Sequence, residues 1–149
     1  MTISESYPDD FVLRCILVHG GAFRAKHAFN LESPKNRYFI ILNRFPDEDD
    51  ELLIATTTTQ EAKRRKHRFH AVIVAIDPAE YDSIDKRCVI DCDSIVPWRK
   101  TDLCAKVARR EVQPLPPVPA TVMARIRAAV TSARTLNPHE KNLILGSDQ

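Results

Sequence analysis

With 149 residues, 44% of them hydrophobic and 28% charged, the chain has the length of one domain and enough apolar surface to bury a core. No apolar run approaches the ~20 residues that span a bilayer. Residues 1–10 are polar and acidic, without the basic and apolar regions of a secretory leader, so the expected compartment is the cytoplasm. The net charge of +2 is unevenly laid out: residues 1–96 carry 13 Lys and Arg against 16 Asp and Glu, and residues 97–149 carry 9 against 4. Cys15, Cys88, Cys92 and Cys104 form no C-x-x-C pair, which points to buried thiols rather than a zinc site, and no metal or cofactor is expected.

Pro8 followed by Asp9 and Asp10 has the form of a helix start with Gly20 as a stop, although residues 11–18 are apolar enough for a strand. Residues 22–29 alternate, with Phe23, Ala25, His27 and Phe29 on one face and Arg24 and Lys26 on the other. That is the period of a half-buried strand, and it makes His27 a packing residue. Residues 38–43 (YFIILN) read as a buried strand, Pro46 and the five acids at 47–51 as a turn, and residues 52–58 (LLIATTT) as the next strand. The basic run Lys63, Arg64, Arg65, Lys66 and Arg68, with His67 and His70 among it, reads as a loop. It suits a polyanion such as nucleic acid, and equally a solvated surface. Residues 69–76 form another strand ended by Asp77-Pro78, and residues 87–96 hold two shorter ones. Thr101 can cap a short helix running to Arg110. Four prolines make residues 113–119 a stiff linker. Val122, Ile126, Ala129, Val130 and Ala133 recur at helical spacing and predict an amphipathic helix over about 120–134, ending near Asn137-Pro138. Five or six short strands followed by helices predict a mainly β, α+β fold, a small bent antiparallel sheet or barrel.

No P-loop, G-x-S-x-G or H-E-x-x-H is present. Polar groups gather instead at strand ends. Arg37 opens one buried strand and Thr58 closes the next, and an antiparallel hairpin would bring them together. A guanidinium and a hydroxyl beside a basic run can handle a phosphate. Each feature also has a plainer reading: Arg37 paired with an acid of 47–51, the threonines as simple strand formers, and Trp98 as core rather than a stacking platform. Asp91 and Asp93 look like a general-acid pair but share a strand with exposed charges.

The segments KNRYFIILNRFP (35–46), LLIATTTTQ (52–60) and FHAVIVAI (69–76), followed by Asp93-Ser94-Ile95-Val96-Pro97-Trp98-Arg99, resemble in order and spacing the central part of the PemK/MazF-like toxins. The resemblance covers roughly residues 20–135. It implies a single SH3-like barrel domain over 1–149, with a divergent segment at 1–20 and a C-terminal helix at about 120–135. It also implies a homodimer, a small antitoxin protein as partner, and metal-free endoribonuclease cleavage of single-stranded RNA through attack of a ribose 2′-hydroxyl on the adjacent phosphate. Carried over residue by residue, the catalytic arginine falls on Arg37 and the catalytic threonine on Thr58. His27 is a candidate base by residue type, as are His67 and His70. RNA binding falls to Lys35, Thr59 and Gln60 and to Lys63, Arg64, Arg65, Lys66 and Arg68. Three features depart from the family: Tyr38 replaces a proline, residues 27–36 stand where a Gly-Ser-Glu-Gln stretch is usual, and the run after Thr-Thr-Gln is unusually basic. The alternative is a non-catalytic barrel that binds nucleic acid or a protein partner, and fold does not choose between the two.

Overall fold

Leu52, Leu53, Ile54 and Ala55 are four apolar residues in succession, a pattern that suits a strand covered on both faces. In the computed structural model, which describes residues 9–25 and 37–146, all four are buried in strand β3 (Glu51–Thr58). The chain order is α1 (Asp9–Ile16), β1 (Ala22–Ala25), β2 (Arg37–Ile41), β3, α2 (Glu61–His67), a 3-10 turn (His70–Val72), β4 (Ile73–Ile76), β5 (Cys88–Asp91), β6 (Val96–Arg99), α3 (Lys100–Ala108), β7 (Val112–Leu115), α4 (Ala120–Ser132) and α5 (Pro138–Leu145). Every strand pairing among the described residues is antiparallel, and the path runs β4-β5-β3-β2-β1-β7. One edge of β3 takes β2. The other is shared: β6 lies along Glu51–Ile54 and β5 along Thr57 and Thr58. The fold is α+β, as the residue pattern predicts.

Side chains alternate across the sheet and build two apolar layers. Phe39, Ile41, Leu52 and Ile54 meet Phe23, Trp98, Val12 and Ile16 of α1, and Leu103 and Val107 of α3. The rings of Phe23 and Phe39 stack at 5.3 Å, and Trp98 meets them edge-on at 5.9 and 5.6 Å, so Trp98 is core, as expected. Ile40, Leu53 and Ala55 face the second layer, with Val122, Ile126 and Val130 of α4 and Ile144 of α5.

The β2–β3 turn is closed from inside. The fully buried Asn43 donates to Asp49 Oδ2 at 2.8 Å and to the Glu51 carbonyl at 2.9 Å, while its Oδ1 accepts the Leu53 N–H at 2.6 Å. His19 braces the same turn. Its Nδ1 lies 3.0 and 3.1 Å from the Leu42 and Asn43 carbonyls and its Nε2 2.9 Å from Arg127. Carbonyls only accept and guanidinium only donates, so Nδ1 carries the proton and the ring is neutral; burial lowers its pKa in the same sense. Between α1 and β1 the chain needs glycine twice: Gly20 has φ of 84°, and a Cβ at Gly21 would fall 1.8 Å from the Ile16 carbonyl oxygen.

Several expectations change. The basic run is helical, forming most of α2. The segment expected as a stiff linker opens with β7, in which Pro114 is tolerated because the strand ends the sheet path. Thr101 does not cap α3, whose N-cap is Arg99 without a side-chain bond. The strand expected over 69–76 begins at Ile73 after the 3-10 turn, and there are seven strands among the described residues rather than five or six. A further helix, α5, follows Asn137, which forms a reciprocal capping box with Glu140 behind Pro138. The strand expected over 22–29 is seen to Ala25; residues 26–29 lie outside the described residues. No described helix is long and apolar enough to cross a membrane. Burial raises the Cys88 and Cys92 thiols to about 11 and about 12, so both stay protonated at neutral pH.

Asn43→Ala leaves the Leu53 N–H and the Glu51 carbonyl without their buried partner. At about 1–3 kcal/mol for each unsatisfied group, urea unfolding should show a loss of about 3 kcal/mol. A loss well under 1 kcal/mol would mean that the turn closes without this side chain.

Candidate nucleic-acid interface

The threonine run ends β3 at the junction of β2, β5 and α2. Thr57 is buried beside Cys88, with a side-chain hydrogen bond between them, while Thr58 is half-buried. Thr58 Oγ1 accepts the Gln60 N–H at 3.2 Å, a local bond that turns the chain out of the strand. β2 and β3 pair Phe39 with Thr56, Ile40 with Ala55 and Ile41 with Ile54. That pairing ends at Phe39 and Thr56, two residues short of Arg37 and Thr58, which stand at the same end of the hairpin. The Arg37 side chain, His27 and Lys35 lie outside the described residues.

A solvent-open cleft of about 520 Å³ lies over this end of the sheet. It is lined by Thr57, Thr58 and Thr59 with Tyr38 of β2 and Cys88 of β5, and by Gln60, Arg64, Asp85 and Lys86. Arg24, cross-strand from Tyr38, holds its guanidinium 5.3 Å from the Tyr38 ring centroid. A smaller recess of about 190 Å³ shares Gln60 and Arg64 with the cleft and adds Lys63, His67, Arg68 and Asp91.

α2 buries none of its residues, so charge pairs rather than apolar packing hold it. At its start Glu61 accepts from Arg65 Nε at 2.8 Å and from Arg87 at 2.9 and 3.2 Å, and Arg87 also forks onto Asp77 at 2.9 and 3.1 Å. The Arg87 and Arg65 hydrogen bonds hold the Glu61 carboxyl at about 2, well below the usual range. At the other end the buried Asp91 accepts from Arg68 Nε at 2.9 Å, with Arg64 3.6 Å away. Asp91 also takes the Ser94 hydroxyl at 3.1 Å and the Asp93 N–H at 2.9 Å. The sequence sets the two on a strand with exposed charges, but Asp91 itself is buried. Asp91 is a buried anchor, and Asp93 accepts the Arg134 and Thr135 N–H groups at 2.7 and 3.1 Å.

Of the residues singled out in the sequence, Thr58, Thr59, Gln60 and Arg64 meet at the cleft, and Lys63, His67 and Arg68 line the recess. Arg65 is tied to Glu61 and lies 2.9 Å from His70 Nδ1, while Lys66 is exposed and borders neither cavity. Sequence reasoning missed Asp85, Lys86 and Cys88 as lining residues of the cleft. The adjacent Lys86 and Arg87 at the mouth of a strand were the one local signal. Among the described residues no cluster of His, Cys, Asp or Glu could hold a metal ion.

No family model matches the chain, and neither does any curated protein. Among solved structures it is similar to a chain of one described as MazE-MazF (Form-III) from Deinococcus radiodurans. The identity is 14% and the TM-score 0.51, over 78% of this chain and 94% of that one. At that identity the likeness is one of fold.

The folded Glu61 carboxyl sits near 2 against an ordinary 4.5, so its pairs contribute fully above about 4.5 and are lost as pH falls from there towards 2. Hydrogen exchange in α2 should accelerate across that window, and Glu61→Gln should give the acid pattern already at neutral pH. An α2 equally protected in that variant is held by something other than these pairs.

Proposed function

We propose that this protein is a toxin-type endoribonuclease that cleaves single-stranded RNA without a metal, with its reaction centre at the mouth of the Thr58 cleft. The observation that carries the reading is an open cleft lined by the strand-end hydroxyl of Thr58 and the cations Arg64 and Lys86, at the end of the hairpin where β2 begins with Arg37. The fold likeness to a MazE-MazF structure supports the same reading.

The chemistry asks little of the protein. The 2′-oxygen of the substrate attacks the adjacent phosphorus and the bond to the 5′-oxygen breaks. A base takes the 2′-hydroxyl proton and a proton is returned to the leaving 5′-oxygen, which gives a 2′,3′-cyclic phosphate and a 5′-hydroxyl. Arg37 stabilises the extra negative charge of the phosphorane. Thr58 already accepts the Gln60 N–H, so its own proton is the part left to donate to a phosphate oxygen. His67, on the recess beside the cleft, and His27 are the candidate bases. A small antitoxin protein as partner, a homodimeric assembly and a cytoplasmic setting belong to this reading.

Incubating the protein with a mixed RNA pool in EDTA should yield cyclic-phosphate ends. Arg37→Ala should slow cleavage by about 10²–10³, the usual cost of losing a charge-stabilising donor. Thr58→Ala should slow it too, and a 2′-O-methyl group at the cut site should block it. Binding without any cutting would leave a non-catalytic RNA-binding module instead.

The cations of the basic run are not equivalent. Arg64, Arg65 and Arg68 are engaged with Asp91 and Glu61, whereas Lys63 and Lys66 are exposed and form no ion pair among the described residues. Neutralising both lysines should flatten the log–log salt dependence of RNA binding by about 0.7 for each phosphate that is no longer neutralised. Neutralising Arg65 should change it much less. Equal slopes for all of these variants would overturn the distinction.

A further inference from the structure

Phe69 follows the basic run and keeps 51% of its surface exposed. A single exposed phenylalanine is ordinary; its setting is not. The Arg134 guanidinium lies 3.8 Å from the ring centroid, within stacking range. Both approaches to the ring are fastened, and to one turn. On one side Arg68 is bonded to Asp91 and the Phe69 carbonyl accepts the Val72 N–H at 3.2 Å. On the other, Asp93 accepts the Arg134 and Thr135 N–H groups, and the Thr135 hydroxyl donates to the Asp93 carbonyl at 3.1 Å. Two carboxylates two residues apart therefore hold an open aromatic ring and a guanidinium together, with Lys66, His67 and His70 exposed close by in the chain.

We propose that Phe69, backed by Arg134, is a stacking platform for one base of single-stranded RNA, a positioning contact outside the Thr58 cleft. The choice of RNA rests on the function proposed above. An aromatic face among cations matches a ligand that offers flat bases along a phosphate chain. A second copy of the chain would bring like charges together here, which disfavours self-association at this point.

The test uses the full chain and a 2′-O-methyl oligoadenylate, which cannot be cut, beside an abasic strand of equal length. Phe69→Ala should weaken binding of the oligoadenylate about tenfold, leave the abasic strand unchanged and leave the salt slope unchanged, because stacking involves no counterion. Phe69→Leu, which keeps apolar bulk without a π face, should behave like Phe69→Ala. Phe69→Trp should restore affinity, with indole fluorescence quenched on binding; the sole native tryptophan, Trp98, is buried and gives a constant background. Unchanged affinity in Phe69→Ala, or an equal loss on the abasic strand, would overturn the platform while leaving the cleavage reading in place. A wild-type protein that binds neither strand would overturn both readings. A dimer that Phe69→Ala dissociates in sedimentation would make the ring a subunit contact and overturn the platform.

Discussion

The side chain of Asn43 is wholly buried at the β2–β3 turn, where three of its hydrogen-bonding positions meet Asp49, Glu51 and Leu53. A slip of one residue would orphan these groups and move Phe39 and Ile41 from the Trp98 layer to the opposite face. The effect would spread, because β3 carries β2 on one edge and both β5 and β6 on the other. Arg37 and Thr58 stand at the far end of the same hairpin. One buried amide at the turn thus fixes the register of the hairpin whose far end carries the candidate site.

The division of the second β3 edge explains where the site lies. β5 and β6 part from each other along β3, and the chain must turn between Asp91 and Val96 to pass from one to the other. That turn presents Asp91 towards Arg64 and Arg68 and Asp93 towards residues 134 and 135. The cleft opens where β3 runs on into α2, a helix too short to hold itself together and with no apolar face to bury. Its position is electrostatic, so it responds to pH and salt in a way the two apolar layers do not. The ion pairs also reduce the charge on offer to a polyanion, since three arginines of the basic run are occupied within the protein.

Much of this was legible locally. Short apolar and β-branched runs predict the central strands because their pattern is set by the pleat, the helical recurrence from Val122 to Ala133 predicts α4, and antiparallel connection predicts the β2–β3 hairpin. The capping box of Asn137 and Glu140 was also in the sequence, behind a proline read as a stop rather than a start. α2 escaped detection because helical periodicity registers an apolar face and this helix has none. β7 escaped because Pro114 argues against a strand until the edge position and the pairing with Phe23 are known.

The sequence by itself determined the fold class and the residue types at the strand ends, which rest on neighbours a few positions apart. Only the tertiary structure decided which cations are free and which are bound. It also decided that Asp91 is buried and bonded to Arg68, and that Arg134 lies over Phe69. The physical reason is range: Arg68 reaches Asp91 and Arg134 reaches Phe69 across long stretches of chain, and the direction of a charged side chain on a surface depends on what the fold carries to its side.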